Sequence, residues 1–234
     1  MFFRKKKEVN QIELHLSQVL ERYEGCADPV AATHSFIKEL FDPKPERYDI
    51  TYRYEHSLRV GYWGRRIAEG EGWESAPLIM ACLLHDVGYL KCRSLEECGR
   101  HPAYSAEIAE EFLKRIKYDE EISKNICQAI AIHDRWNDVP EGATPFELSV
   151  RDADDLDRFD VLRMCLFGKD DIGEHSAAEV IARCDKRLTR LEEDCERICG
   201  TQTAKSFWEA ELQVRKQFFE GLKRQMESTF LYEY

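Results

Sequence analysis

No apolar run in this chain is long enough to cross a bilayer. The longest, Leu78 to Leu84, has the length of a buried helix, so no membrane partner is expected. An excess of positive charge is also missing. The 234 residues carry 34 Lys and Arg against 45 Asp and Glu, a formal net charge of -11, which argues against nucleic acid as a partner. The one basic cluster, Arg4-Lys5-Lys6-Lys7 after Met1-Phe2-Phe3, is followed by no apolar segment and does not read as a secretory signal. Paired CxxC spacing is absent too: Cys92 with Cys98, and Cys195 with Cys199, are spaced wrongly for a structural zinc. The nine cysteines are an odd number, and Cys82, Cys127 and Cys165 fall in apolar helical stretches. They are expected to be reduced, mostly buried thiols in a cytoplasmic protein.

Alternating strand patterns, internal repeats and low-complexity segments are likewise lacking, and helical periodicity dominates. Hydrophobic residues at 43% and charged residues at 34% suit a folded globular chain. Asp28-Pro29 reads as an N-cap with proline in the first turn, opening a helix to about Leu40. Asp42-Pro43-Lys44-Pro45 then breaks the chain. Further helices are expected at about 51–69, 77–86, 103–117, 119–133 and 145–164, and two long charged ones between about 175 and 228, separated at Gly200. The implied organisation is an all-α chain: an N-terminal helical extension at 1–45, a core at 46–170, and C-terminal helices at 171–234 packing on that core.

The informative feature is where certain His and Asp residues fall on these helices. Tyr52, His56, Val60, Trp63 and Ile67 recur at spacings of four or three and share one face. Leu78, Cys82, His85 and Asp86 do the same, as do Ile122, Ile126, Ala129, Ile130 and His133. A fourth stripe, Phe146, Val150, Ala153, Asp154 and Asp157, carries two carboxylates among apolar neighbours, while Asp152 and Asp155 point elsewhere around the helix. A lone histidine on an apolar face is most simply a satisfied core residue. Ionised groups directed inward from four helices are different, because each must be paired, protonated or bound to metal. Mixed His/Asp convergence is what a divalent cation requires.

Three short segments carry a resemblance. Arg53-Tyr54-Glu55-His56-Ser57-Leu58, Leu83-Leu84-His85-Asp86-Val87-Gly88 and Asp152-Ala153-Asp154-Asp155-Leu156-Asp157 resemble, in order, the motifs of the HD-domain phosphohydrolase superfamily. The likeness spans about residues 50–165. It implies a helical HD-domain bundle with helical extensions at both ends, and a metal held by His56, His85, Asp86 and Asp154. A subset of the superfamily adds two histidines to hold a second metal, with the Asp of the pair bridging. His101 and His133 stand in the fitting places, although a role for His101 contacting backbone at a helix start accounts for it nearly as well.

The resemblance implies one or two divalent ions, with Mn, Fe, Mg, Zn, Ni and Co undistinguished, and a small phosphorylated substrate such as a nucleotide or another metabolite. The metal would acidify a bound water for attack on phosphorus. Arg53, one turn before His56, is a candidate phosphate contact, and Lys91 a second, with a surface salt bridge the competing account of each. Asp157 would orient a ligand or a water, or else serve an N–H or Arg partner. Catalytic roles thus fall to Asp86, Arg53, Asp157 and Lys91. Tyr89 stands where the family often has Lys or His, which leaves the general acid unassigned. Trp136 is a candidate for stacking on a base, and His175 for an approach to the site. Two other readings share these ligands: an HD-fold di-iron oxygenase, and a non-catalytic nucleotide-sensing HD module signalling through its C-terminal helices. A homo-oligomer stays open.

Overall fold

The computed structural model describes residues 12–25, 27–41, 48–92, 94–135, 138–165 and 174–230. Arg4–Lys7, the Asp42–Pro45 break and Trp136 lie outside the described residues. The described chain is helical, with no strand among the described residues. Helix α1 covers 12–20, α2 is Pro29–Leu40, α3 Tyr48–Glu71 and α4 Ser75–Leu84; a 3-10 turn, Val87–Lys91, follows. Then come α5 (Leu95–Cys98), α6 (His101–Arg115), α7 (Glu120–Ile132), α8 (Pro145–Phe159), a short α9 at 161–165, α10 (Ala177–Asp194) and α11 (Gln202–Glu227). No helix among them is long and apolar enough to cross a membrane.

Local chemistry explains these limits. The Asp28 side chain accepts from Ala31 N at 3.0 Å to open α2. Thr144 with Glu147, and Ser176 with Glu179, form reciprocal capping boxes at the starts of α8 and α10. Helix α4 is apolar on every side, with Pro77, Leu78, Met80, Ala81, Cys82, Leu83 and Leu84 all buried. A helix without a polar face must lie at the centre of the bundle. Accordingly α2, α3, α6, α7 and α8 all pack against it. On one side Phe36 of α2 stacks on Phe112 of α6 with ring centroids 4.3 Å apart.

The helix boundaries differ from expectation at two places that matter. The helix expected at 77–86 ends at Leu84, so His85 caps it and Asp86 begins the 3-10 turn. The cause lies at Gly88, where a Cβ would run into the His101 carbonyl oxygen and Ser105 N of α6. Gly88 N instead donates to Ser105 Oγ at 2.8 Å, and the chain must leave the helix to make that approach. The helix expected at 145–164 breaks at Asp160, whose extended backbone separates α8 from α9. A short helix, α5, also lies in what reads as a loop in the sequence.

Helices α10 and α11 form an antiparallel-type pair flanking Gly200, and α11 packs on α3 and α8. Trp208 of α11 donates to the Asp194 carbonyl at 2.9 Å and packs against Phe159. The cysteines are less buried than expected. All eight described ones are free thiols, but only Cys82 and Cys184 are buried, and Cys165 and Cys195 are exposed. Cys165 lies on α9 and Cys195 caps α10, at positions facing away from the core stripe.

Candidate metal centre

Four helices deliver the His and Asp stripes to one place. His56 comes from the middle of α3, His85 from the end of α4, His133 from the end of α7, and Asp154 and Asp157 from α8. Asp86 opens the 3-10 turn and His101 opens α6. All seven are buried. The six expected ligands are therefore brought together, with Asp157 beside them.

Three histidines share one device. His85, His101 and His133 each place Nδ1 at 2.7 Å from the carbonyl three residues earlier, those of Cys82, Cys98 and Ile130. A carbonyl only accepts, so Nδ1 must carry the proton in each ring. The neutral ring then has a bare lone pair on Nε2. His56 is arranged alike, its Nδ1 donating to Asp157 Oδ2 at 2.7 Å.

Those four Nε2 atoms face one another. His56 Nε2 lies 3.3 Å from His85 Nε2, and His101 Nε2 lies 3.1 Å from His133 Nε2. Between the pairs sits Asp86. Its Oδ1 is 3.5 Å from His85 Nε2, 3.4 Å from His101 Nε2 and 3.7 Å from His133 Nε2, while its Oδ2 is 3.6 Å from His56 Nε2. Asp154 Oδ1 is 3.0 Å from His56 Nε2 and 3.8 Å from His85 Nε2, yet it accepts no well-aligned hydrogen bond among the described residues.

Lone pairs and carboxylates at such distances repel unless a cation stands among them. A proton serves one pair of nitrogens; a divalent ion serves a whole set. Two triads have ligand atoms close enough to hold a metal, His56-His85-Asp154 and His85-Asp86-His133. Helices α4 and α7 also end here, so the negative ends of two helix dipoles favour positive charge at the same point. The donor set, four nitrogens and two carboxylates, fits a divalent metal ion.

The electrostatics agree. Burial pushes the Asp86 carboxyl up, but His85, His133, Arg53 and His56 outweigh it and hold it well below the usual carboxylate range. Burial drags His85 down to about 4, leaving it a neutral ligand. Burial lowers His56 as well, yet the Asp154 and Asp157 carboxylates overcome this and raise it to about 9. That ring carries the extra proton wherever a metal does not.

The remaining expected residues have varied placements. Arg53 Nη1 lies 2.6 Å from Asp86 Oδ2, and its guanidinium is 3.7 Å above the Tyr89 ring. Asp157 both orients His56 and pairs with Arg59, whose Nε is 2.6 Å from Oδ1. His101 has one nitrogen on the Cys98 carbonyl and the other facing His133 in the cluster. Lys91 is placed elsewhere: its Nζ is 3.0 Å from Glu107 at the surface, as the salt-bridge account has it. His175 stands just before α10, where its charge acts on Glu179.

Two neighbours already marked in the sequence, Tyr52 on the His56 stripe and Tyr89 just past the His-Asp pair, lie against the cluster. Tyr52 stacks parallel to His56 at 5.8 Å, and Tyr89 stacks on His101 at 4.1 Å. Burial pushes the Tyr89 phenol up to about 12, so it stays protonated. Arg59 and Arg158 each lie one helical turn from a ligand, and that spacing is the signal that would have found them. Asp152 and Asp155, which the stripe directs away from the cluster, are buried on the far side of α8 against Arg151 and Arg197.

A family model described as HD domain matches residues 53–162, the span that includes every residue of the cluster. No curated protein and no solved structure matches the chain. The convergence of His56, His85-Asp86 and Asp154 in a helical bundle is consistent with that match, which identifies residues 53–162 as similar to an HD domain.

Proposed function

We propose that this protein hydrolyses a phosphate ester of a small metabolite or nucleotide at a divalent metal centre. The observation that supports this most is the inward convergence of four histidine Nε2 atoms on Asp86 and Asp154. His56, His85, Asp86 and Asp154 would hold one ion. His101 and His133, with Asp86 shared, would hold a second. A divalent cation held there supplies Lewis acidity, making an attached water more acidic and drawing charge from phosphoryl oxygens.

The chain's own groups supply the rest. The backbone carbonyls of Cys82, Cys98 and Ile130 fix three histidine tautomers, and Asp157 fixes the fourth. Asp86, whose Oδ1 lies within 3.7 Å of His85, His101 and His133 Nε2 and whose Oδ2 lies 3.6 Å from His56 Nε2, would be shared between the two ions. Arg53 stands against Asp86 with a single nitrogen, and its remaining donors are available to a phosphate oxygen. Its stacking on Tyr89 holds the guanidinium plane in place.

The test has two arms. Metal per chain is measured on protein purified without chelator, and phosphate release is screened over nucleotides and sugar phosphates. Asp86→Ala should lose metal and all phosphate release while its helical circular dichroism survives. Turnover like that of the wild type in this variant would overturn the assignment. His133→Ala should lower the metal count from two to one. Oxygen consumption by iron-loaded protein on substrate addition, with no phosphate released, would transfer the site to the oxygenase reading.

A further inference from the structure

The net charge of the chain is -11, so a phosphate ester approaches a surface that on the whole repels it. Near the cluster the sign reverses. Arg53 on α3 stands against Asp86, and Arg158, one turn beyond Asp154 on α8, places Nη1 at 3.4 Å from Asp154 Oδ2. The two side chains are 28% and 41% exposed, which makes them half open to solvent while touching two different buried carboxylates of the centre. Each spends only one nitrogen on a side-chain hydrogen bond there. Nε and Nη2 of both guanidiniums donate to nothing among the described residues.

A count of charges shows what such a pair can select. Arg53 and Arg158 balance Asp86 and Asp154, and Arg59 balances Asp157. Arg151 and Arg197 balance Asp152 and Asp155 on the far face of α8. The charge of the bound divalent ions is then uncompensated. Asp134 acts on Arg158 as well, but it is exposed and screened by solvent. A phosphomonoester brings about two negative charges and three terminal oxygens. A diester brings one charge and two terminal oxygens, too few to engage a cation and two guanidinium forks together.

We propose that Arg158 and Arg53 form a two-guanidinium clamp that selects the terminal dianionic phosphate of a monoester over a diester. This deepens the phosphohydrolase reading and rests on it. Arg158 is the substrate-touching member on the α8 side, and Arg53 the member on the α3 side.

The experiment measures binding to the metal-loaded full chain by calorimetry, with inorganic phosphate and dimethyl phosphate as probes. Wild type should bind phosphate at least about tenfold more tightly than dimethyl phosphate, one charge-assisted contact being enough for that ratio. Arg158→Met should remove most of this preference while its metal content stays that of wild type. Arg158→Lys should recover part of it, because an ammonium restores the charge and not the fork. An Arg158→Met protein that keeps both its metal and its phosphate preference overturns the clamp. So does one that loses metal, which would make Arg158 a support for Asp154. Wild-type protein that takes up metal but binds neither anion overturns the phosphohydrolase reading itself, and the clamp with it.

Discussion

Asp157 Oδ2 accepts a hydrogen bond from His56 Nδ1 at 2.7 Å, joining two buried side chains 101 residues apart in sequence. The same carboxylate receives Arg59 Nε at 2.6 Å, so it is anchored on one side while it orients the ring on the other. Asp157→Ala should free the His56 ring to rotate and change tautomer. Loss of such a partner typically costs about 10–100-fold in metal affinity. Competition with a chromophoric chelator measures it, and an affinity equal to wild type would reduce Asp157 to an Arg59 partner.

Gly88 fixes how the 3-10 turn meets α6. Its N–H donates to Ser105, and a Cβ would collide with the His101 carbonyl and Ser105 N, both backbone atoms that cannot swing aside. Gly88→Ala must push α6 away from the turn. The expected result is a loss of about 1–3 kcal/mol by urea unfolding, with a fall in metal count from two to one as His101 leaves Asp86. Unchanged stability together with a full metal count would show that the turn can shift without moving His101.

Metal uptake should release protons. The His56 pKa is held at about 9 against the lowering effect of burial, so below that pH the metal-free ring is protonated on both nitrogens. A cation takes Nε2 only after that proton leaves. Apparent affinity should therefore rise with pH up to about 9, by about tenfold per unit for one proton. The raised value also means that this ring stabilises the metal-free fold fully below its unfolded pKa of about 6.5, and that this contribution fades toward 9. Calorimetry in buffers of different ionisation enthalpy reads the proton directly. Affinity independent of pH between about 6 and 9 would contradict a proton on His56.

How much of this could be read from the sequence follows from periodicity. Stripes on α3, α7 and α8 were legible because His56, His133, Asp154 and Asp157 repeat the 3.6-residue spacing of their apolar neighbours. The end of α4 was not, because an apolar helix gives no phase, and only contact with α6 tells why the chain turns at His85. Arg158 was missed because a charged residue off the apolar stripe looks like any solvated one. The buried layer on the far face of α8 was missed for a stronger reason. Asp152, Asp155 and Arg197 lie outside the apolar pattern, and their burial depends on a segment some 45 residues away.

That layer carries the last prediction. Arg197 Nη2 is 2.6 Å from Asp155 Oδ2 and 3.0 Å from Asp152 Oδ1, with all three side chains no more than 3% exposed. Arg151 also contacts Asp152, and Gly200 N donates to Asp152 Oδ2 at 2.6 Å, so Asp152 keeps partners without Arg197. Asp155 does not keep its short ion pair; its other cation, Arg158, is 3.8 Å away and half exposed. Burial already pushes the Asp155 carboxyl up to about 7 even beside Arg197, so Arg197→Met should make it take up a proton and lose its partner, at a cost of about 1–3 kcal/mol. Arg197→Met combined with Asp155→Leu removes both charges and should recover most of that loss. Denaturant unfolding of the single and double variants decides the matter. If the single variant is as stable as wild type, the junction of α10 and α11 is not held to the metal-bearing helix by this pair. If the double variant is no better than the single, the arginine acts through its packing on Trp208, 4.8 Å away, and not through its charge.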